Sequence, residues 1–142
     1  MIKMVFYFEP VSQARPRATV SRKGQIRVYD PLNPAIYKRR LSMTALKYML
    51  GRKPLEGPLS VKMRFYRPVQ KSISKKLKQA RIEGKERPIV KPDISNYVKS
   101  TEDGLNGIVW KDDSLIVHEE VDKLYSDNPR VEIEVEKWEP DL

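Results

Sequence analysis

The sequence predicts one small domain that mixes strands with helices, on three observations. The chain has 142 residues, the size of a single domain with a single core. Several short runs are β-branched and aromatic, or alternate apolar with polar residues, as strands do at period two. Two longer segments repeat their apolar residues every three to five positions, the spacing of an amphipathic helix.

Residues 2–8 (IKMVFYF) are β-branched and aromatic enough for a buried strand that ends before Pro10. Residues 12–29 read as an exposed basic loop leading into a hairpin around Arg22, Lys23 and Gly24. After Pro31 and Pro34, residues 35–50 set Ile36, Tyr37, Leu41, Ala45, Leu46 and Met49 on one helix face, and Gly51 stops the helix. Residues 59–66 alternate Leu59, Val61, Met63 and Phe65 against Ser60, Lys62, Arg64 and Tyr66, a half-buried strand with a basic outer face closed by Pro68. Residues 71–87 carry few large apolar side chains among many basic ones. They predict a short, loosely packed helix capped by Ser72 or Ser74 and stopped by Gly84. Residues 93–106 form a second clear helical pattern. Strands follow over about 115–124 and 130–138, joined by a turn at Asp127, Asn128 and Pro129 into a hairpin.

Composition excludes several kinds of chemistry. There is no cysteine and one histidine, His118, so a disulfide framework, a thiolate site and a multi-histidine centre are out of reach. No apolar run is long enough for a membrane helix, no P-loop or G-x-G-x-x-G run supports a nucleotide cofactor, and no signal-peptide pattern opens the chain. The expectation is a soluble, cytoplasmic protein with no membrane partner.

Charge points to the partner. The formal net charge is +9, which suits a polyanion such as nucleic acid. Residues 1–92 hold 23 basic and 5 acidic groups, whereas residues 93–142 hold 5 and 14. A protein that only coats nucleic acid gains nothing by gathering carboxylates, but one that holds a divalent cation beside a phosphate needs an acidic site within a basic surface. Glu132, Glu134 and Glu136, at every second position, read instead as a solvated strand face.

On a helix over 93–106, Ile94, Tyr97, Val98, Thr101 and Leu105 share an arc of roughly 100°, with Asp93, Asn96, Lys99, Ser100 and Asp103 in an arc of roughly 120° opposite. Asp112 and Asp113 follow after a short connection, so carboxylates from two elements can converge on one magnesium ion. Lys99 could then neutralise charge developing on a phosphate. The same residues also fit a capped helix with a Lys99–Asp103 surface pair and two turn aspartates. His118 in a strand, Trp110 near the acidic pair, and Tyr37 and Tyr48 on the first helix read as packing or solvated residues.

The run KPDISNYVKSTEDGLNGIVWKDDSLIVHEEV, residues 91–121, resembles the central motif of the RusA family of Holliday junction resolvases: D-x-D-N, a following lysine, a D-x-L turn, then W or Y and a D-D pair. QARPRATVSRKG and the tyrosine-bearing basic helix also look like this family's N-terminal half. The resemblance implies a small α+β domain, with a mixed β-sheet packed with two main helices, working as a homodimer over residues 1–142. It implies magnesium-dependent endonucleolytic cleavage of four-way DNA junctions in recombination and repair. Carried over by position, Asp93 takes the first motif aspartate, Asn96 the asparagine, Lys99 the catalytic lysine, Asp103 the helix aspartate and Asp113 the second residue of the D-D pair, with Asp112 assisting. Asp93, Asp103, Asp112 and Asp113 are the expected metal ligands. Ser95 departs from the pattern, standing where the second aspartate belongs.

Twofold symmetry would give a dimer two equivalent sites for paired nicks. Arg15, Arg17, Lys38, Arg39, Arg40, Arg64, Lys75, Lys76 and Lys78 are candidates for DNA backbone contacts, which position without reading sequence. Two other readings stay open. Ser95 could mark a junction-binding protein that cuts poorly, and the basic charge also suits an RNA-binding accessory protein.

Overall fold

The computed structural model describes residues 1–13 and 32–141. The predicted arm hairpin, with Arg15 and Arg17, lies outside them. In chain order come β1 (Ile2–Phe6), α1 (Pro34–Met49), β2 (Leu59–Pro68), α2 (Lys75–Ile82), α3 (Ile94–Leu105), a 3-10 turn (Asp113–Leu115), β3 (Ile116–Ser126) and β4 (Arg130–Lys137). The result is a small α+β domain of one mixed four-stranded sheet and three helices.

Local chemistry sets the helix ends. Asn33 Oδ1 accepts from the Ala35 amide at 2.8 Å and Pro34 occupies the first turn of α1, where its missing N–H costs nothing. The C-terminus passes through Leu50, at φ 50°, and Gly51, at φ 78°. Ser74 caps α2 by accepting from Leu77 at 3.2 Å. That helix buries no residue completely, in keeping with its sparse apolar content.

The sheet order is β1-β4-β2-β3. β4 runs antiparallel to both β1 and β2, and β2 runs parallel to β3. The predicted hairpin of the last two strands is therefore absent: β2 lies between them. Leu59, Val61, Met63 and Phe65 are buried on one side of β2, and only a strand with buried residues on its own inner side can flank it. Val131, Ile133 and Val135 of β4 meet that demand on one flank. Val121 of β3 does so on the other, opposite Met63. The Asp127–Pro129 turn then passes over the end of β2 at Pro68.

α1 and α3 cover one sheet face. Tyr97 of α3 stacks on Phe65 of β2 with ring centroids 5.1 Å apart. α3 meets α1 through small residues: Gly104 lies so close that a Cβ there would approach Leu41 Cδ1 to 2.9 Å and Lys38 Cα to 3.2 Å. Ser42 Oγ donates to the Gly104 carbonyl at 2.6 Å, and the Tyr37 hydroxyl pairs with Thr101 Oγ1 at 2.8 Å. The uncovered sheet face is a ladder of ion pairs: Lys62–Glu120, Arg64–Glu132, Arg130–Glu132 and Lys3–Glu134. Glu132, Glu134 and Glu136 thus form the solvated strand face their spacing predicts.

Candidate active site

α3 carries most of the candidate residues, and its rotation differs from the periodicity reading. Tyr97, Ser100, Thr101, Gly104 and Leu105 are buried, whereas Ile94 is 38% exposed. Ser100, expected on the polar face, is inside. The buried face has turned by roughly 40° relative to the apolar residues, at 100° per residue. The cause is steric: Ser100, Thr101 and Gly104 admit the α1 backbone where larger residues could not.

At about 100° per residue Glu102 falls between the two arcs, on the flank of α3 next to β3. Glu102 faces Glu119 within hydrogen-bonding reach, and both line an open cavity of about 470 Å³ together with Lys99 and Asp113, with His118 at its rim. Burial pushes the Glu102 carboxyl up to about 8, helped by the charges of Glu119 and Asp113 and opposed by Lys99. Glu119, on the sheet edge but backed by α3, is also raised, by desolvation first and by Asp113, while its hydrogen bond with Glu102 works the other way. The hydrogen bond favours the proton on Glu102, with Glu119 as its acceptor.

Asp113 is fixed by a relay from the core. The buried Trp110 donates from Nε1 to Asn106 Oδ1 at 2.7 Å, and Asn106 Nδ2 donates to Asp113 Oδ2 at 3.2 Å. Trp110 packs as expected, and the turn residue Asn106 gains a positioning role. Asp112 Oδ2 accepts from the Ser114 amide at 3.1 Å, which caps the 3-10 turn, and the Ser114 hydroxyl first, then that amide, hold this exposed carboxyl below the usual range. Lys99 Nζ lies 3.3 Å from Asp103 Oδ1, and Lys38 lies 3.7 Å from Asp103 Oδ2. Asp103 first, then Asp113, raise the Lys99 pKa, so its ammonium stays charged.

Asp93 stands elsewhere. It is the N-cap residue of α3 without a side-chain cap bond, in the field of Lys123. The 12 residues of α3, about 18 Å of helix, separate it from the Asn106 end where Asp113 is held. Ser95 is exposed in the first turn. The Asn96 carbonyl accepts from the Gln13 amide at 3.2 Å, tying α3 to the chain after β1. The structure thus brings together Lys99, Asp103 and Asp113, joined by Glu102 and Glu119, and leaves Asp93 apart. Among the described residues no three acidic or histidine side chains form a ready-made cation cage.

Glu102 and Glu119 were not singled out by sequence reasoning. One signal was present: Glu102 is seven residues after Ser95 and three after Lys99, on one side of the helix.

The basic candidates scatter. Lys38 is committed to Asp103, Arg39 is exposed on α1, and Arg40 lies over the Phe8 ring at 4.2 Å. Arg64 sits on the uncovered sheet face, paired with Glu132, away from the cavity. Lys75, Lys76 and Lys78 are exposed along α2.

Comparison with known proteins covers nearly the whole chain. A family model described as Endodeoxyribonuclease RusA matches residues 7–136. A protein of Bacillus subtilis (strain 168), described as uncharacterized protein YqaN, is 40% identical over 134 residues, spanning 93% of each chain. Because the family match spans residues 7–136, most of the chain and the whole stretch that lines the acidic cavity, this chain belongs to the RusA endodeoxyribonuclease family.

Proposed function

We propose that the protein is a magnesium-dependent endonuclease that resolves four-way DNA junctions as a homodimer, with its cleavage centre at the cavity between α3 and β3. The observation that carries this reading is the meeting of one lysine, Lys99, with Asp113, Glu102 and Glu119 around a single open space. The donor set is all oxygen, which suits magnesium. That ion commonly takes only one or two carboxylates and leaves its remaining positions to water and phosphate, so a closed cage of three is not required. One or two of Asp113, Glu102 and Glu119 would hold it directly and the rest through water, Glu102 giving up its proton on binding. Magnesium bound there supplies Lewis-acid polarisation of a phosphodiester and of an attacking water.

The chain's own residues do the rest. Lys99, held by Asp103, presents a fixed positive charge to the phosphate oxygens. Asn106 keeps Asp113 in one orientation. Asp112 shapes the turn that delivers Asp113. Glu102 and Glu119 stand in for the carboxylate that Ser95 lacks. Asp93, beside Lys123 at the helix start, stands too far along α3 to share an ion with Asp113 and is not among the ligands of this centre.

The test is nicking of a synthetic four-way junction. The parent protein should nick opposed strands symmetrically in magnesium, and Asp113→Asn and Glu102→Gln should each lose at least about 100-fold in rate. Undiminished cutting by both variants would falsify this assignment of the centre.

Ser95 and the lack of a preformed cage among the described residues favour one other reading: a protein that binds junctions without cutting them. It predicts salt-sensitive junction binding with no nicks in magnesium or manganese, and cutting restored by Ser95→Asp.

A further inference from the structure

The segment 87–92, between α2 and α3, carries two aliphatic side chains into solvent. Ile89 is 94% exposed and Val90 52% exposed, although Pro88 just before them is buried. Single exposed apolar residues are ordinary. This pair differs because the backbone beneath it is tied down. Arg67 Nη1 donates to the Lys91 carbonyl at 2.8 Å. Lys123 Nζ donates to the carbonyls of Val90 and Pro92, both at 2.9 Å. Arg87 Nη1 reaches the Lys123 carbonyl at 3.2 Å and Asp122 Oδ1 at 3.3 Å.

Three cationic side chains from β2, β3 and the segment itself thus hold a protruding apolar tip. A held tip loses little freedom when it is gripped. Its surroundings are positive on balance: Arg67, Arg87, Lys91 and Lys123 outnumber Asp93 and Asp122, which stand beside Lys123 and Arg87. An apolar point in a cationic frame matches a polyanion whose apolar surfaces lie between its charges, which is the description of stacked base pairs between phosphate strands. A protruding point with Ile89 almost wholly exposed cannot enclose a peptide, but it can enter a stack. The tip also stands just ahead of Asp93, where the nuclease motif begins.

We propose that Ile89 and Val90 form a wedge that enters the opened base stack at the branch point of the junction, holding the arms apart so that the strands pass α3. This rests on the junction-cleaving reading above.

The experiment uses the full chain without divalent metal, a four-way junction carrying 2-aminopurine at its branch point, and a linear duplex carrying it at the centre. Binding of the parent should brighten the junction probe by about twofold or more as the base unstacks, with little change in the duplex. The Ile89→Ser/Val90→Ser variant should keep duplex binding and its salt dependence, lose most of the brightening, and bind the junction about tenfold more weakly. Ile89→Leu should keep the brightening. If the double variant melts below the parent, Ile89→Ser alone carries the test, since that side chain packs against almost nothing. Parent-like brightening in the serine variants overturns the wedge. So does a parent that nicks the junction in magnesium yet never brightens the probe, and in that case the junction reading survives. A parent that neither prefers the junction to the duplex nor nicks it overturns the proposed function and the wedge together.

Discussion

Glu102 holds a proton that a surface glutamate would release, and this has a thermodynamic consequence. A carboxyl whose folded pKa lies above its unfolded value stabilises the fold fully below that unfolded value. The contribution fades as pH rises through the folded one, here about 8. Glu102→Gln keeps the shape and removes the charge, so without divalent metal the variant should be the more stable protein above pH 8. The difference should be about 1 kcal/mol once the half-exposed position is discounted for solvent screening. Denaturant unfolding at pH 5 and pH 9 measures it, and identical pH dependence in parent and variant would count against the Glu102–Glu119 pairing. The same substitution should abolish cutting, which separates a role in chemistry from a role in the fold. Asn106 makes a parallel case, because its two hydrogen bonds link Trp110 to Asp113. Asn106→Ala should lower the cleavage rate about tenfold or more by letting Asp113 rotate, with junction affinity little changed. A loss of affinity at unchanged rate would show that Asn106 does not position Asp113.

The two main helices contain the next level of control. Gly104 lets α3 lie against α1, and a Cβ there would meet the Lys38 backbone at 3.2 Å. Gly104→Ala should destabilise by about 1–2 kcal/mol despite alanine's better helix propensity, because overpacking outweighs that gain. Thermal unfolding gives the sign directly. Leu50 ends α1 in the left-handed region at φ 50° and is 80% exposed, so Leu50→Gly should stabilise by about 0.5–1 kcal/mol. Much of this level was legible in the sequence: the alternation of β2, the Ser74 cap and the Gly51 and Gly84 stops each depend on neighbours in the chain. The β3–β4 hairpin and the facing of α3 were not. A three-residue turn suggests local pairing, but the partner of each strand is set by which buried faces match across β2. The rotation of α3 depends on small residues being wanted by α1, which periodicity counts as polar. Glu102 went unseen because it falls between the apolar and polar arcs, whereas Lys99 and Asp113 were marked both by the convergence of helix and turn and by the motif.

Across the whole molecule, the charge separation along the chain closes up on one face, where basic residues of the first half meet acids of the second. The uncovered sheet face pairs Lys62, Arg64, Arg130 and Lys3 with acids, which leaves it poorly suited to a polyanion. DNA is then expected on the helical side, by the cavity. Arg64→Ala should leave junction affinity within about twofold, whereas Arg39→Ala should weaken it and lower the salt dependence by about one counterion. Titration of both variants between low and physiological salt decides this, and an Arg64 effect exceeding that of Arg39 would place DNA on the sheet face instead.

The order of strands also bears on what holds the acidic cavity together. β4, last of the four strands in chain order, occupies an interior place and supplies the pairing that β1 otherwise lacks. A chain cut after Ser126 would have a sheet split in two, with β1 unpartnered and β2 supported by β3 on one flank only, so the seat of Glu119 opposite Glu102 rests on a strand that does not itself border β3.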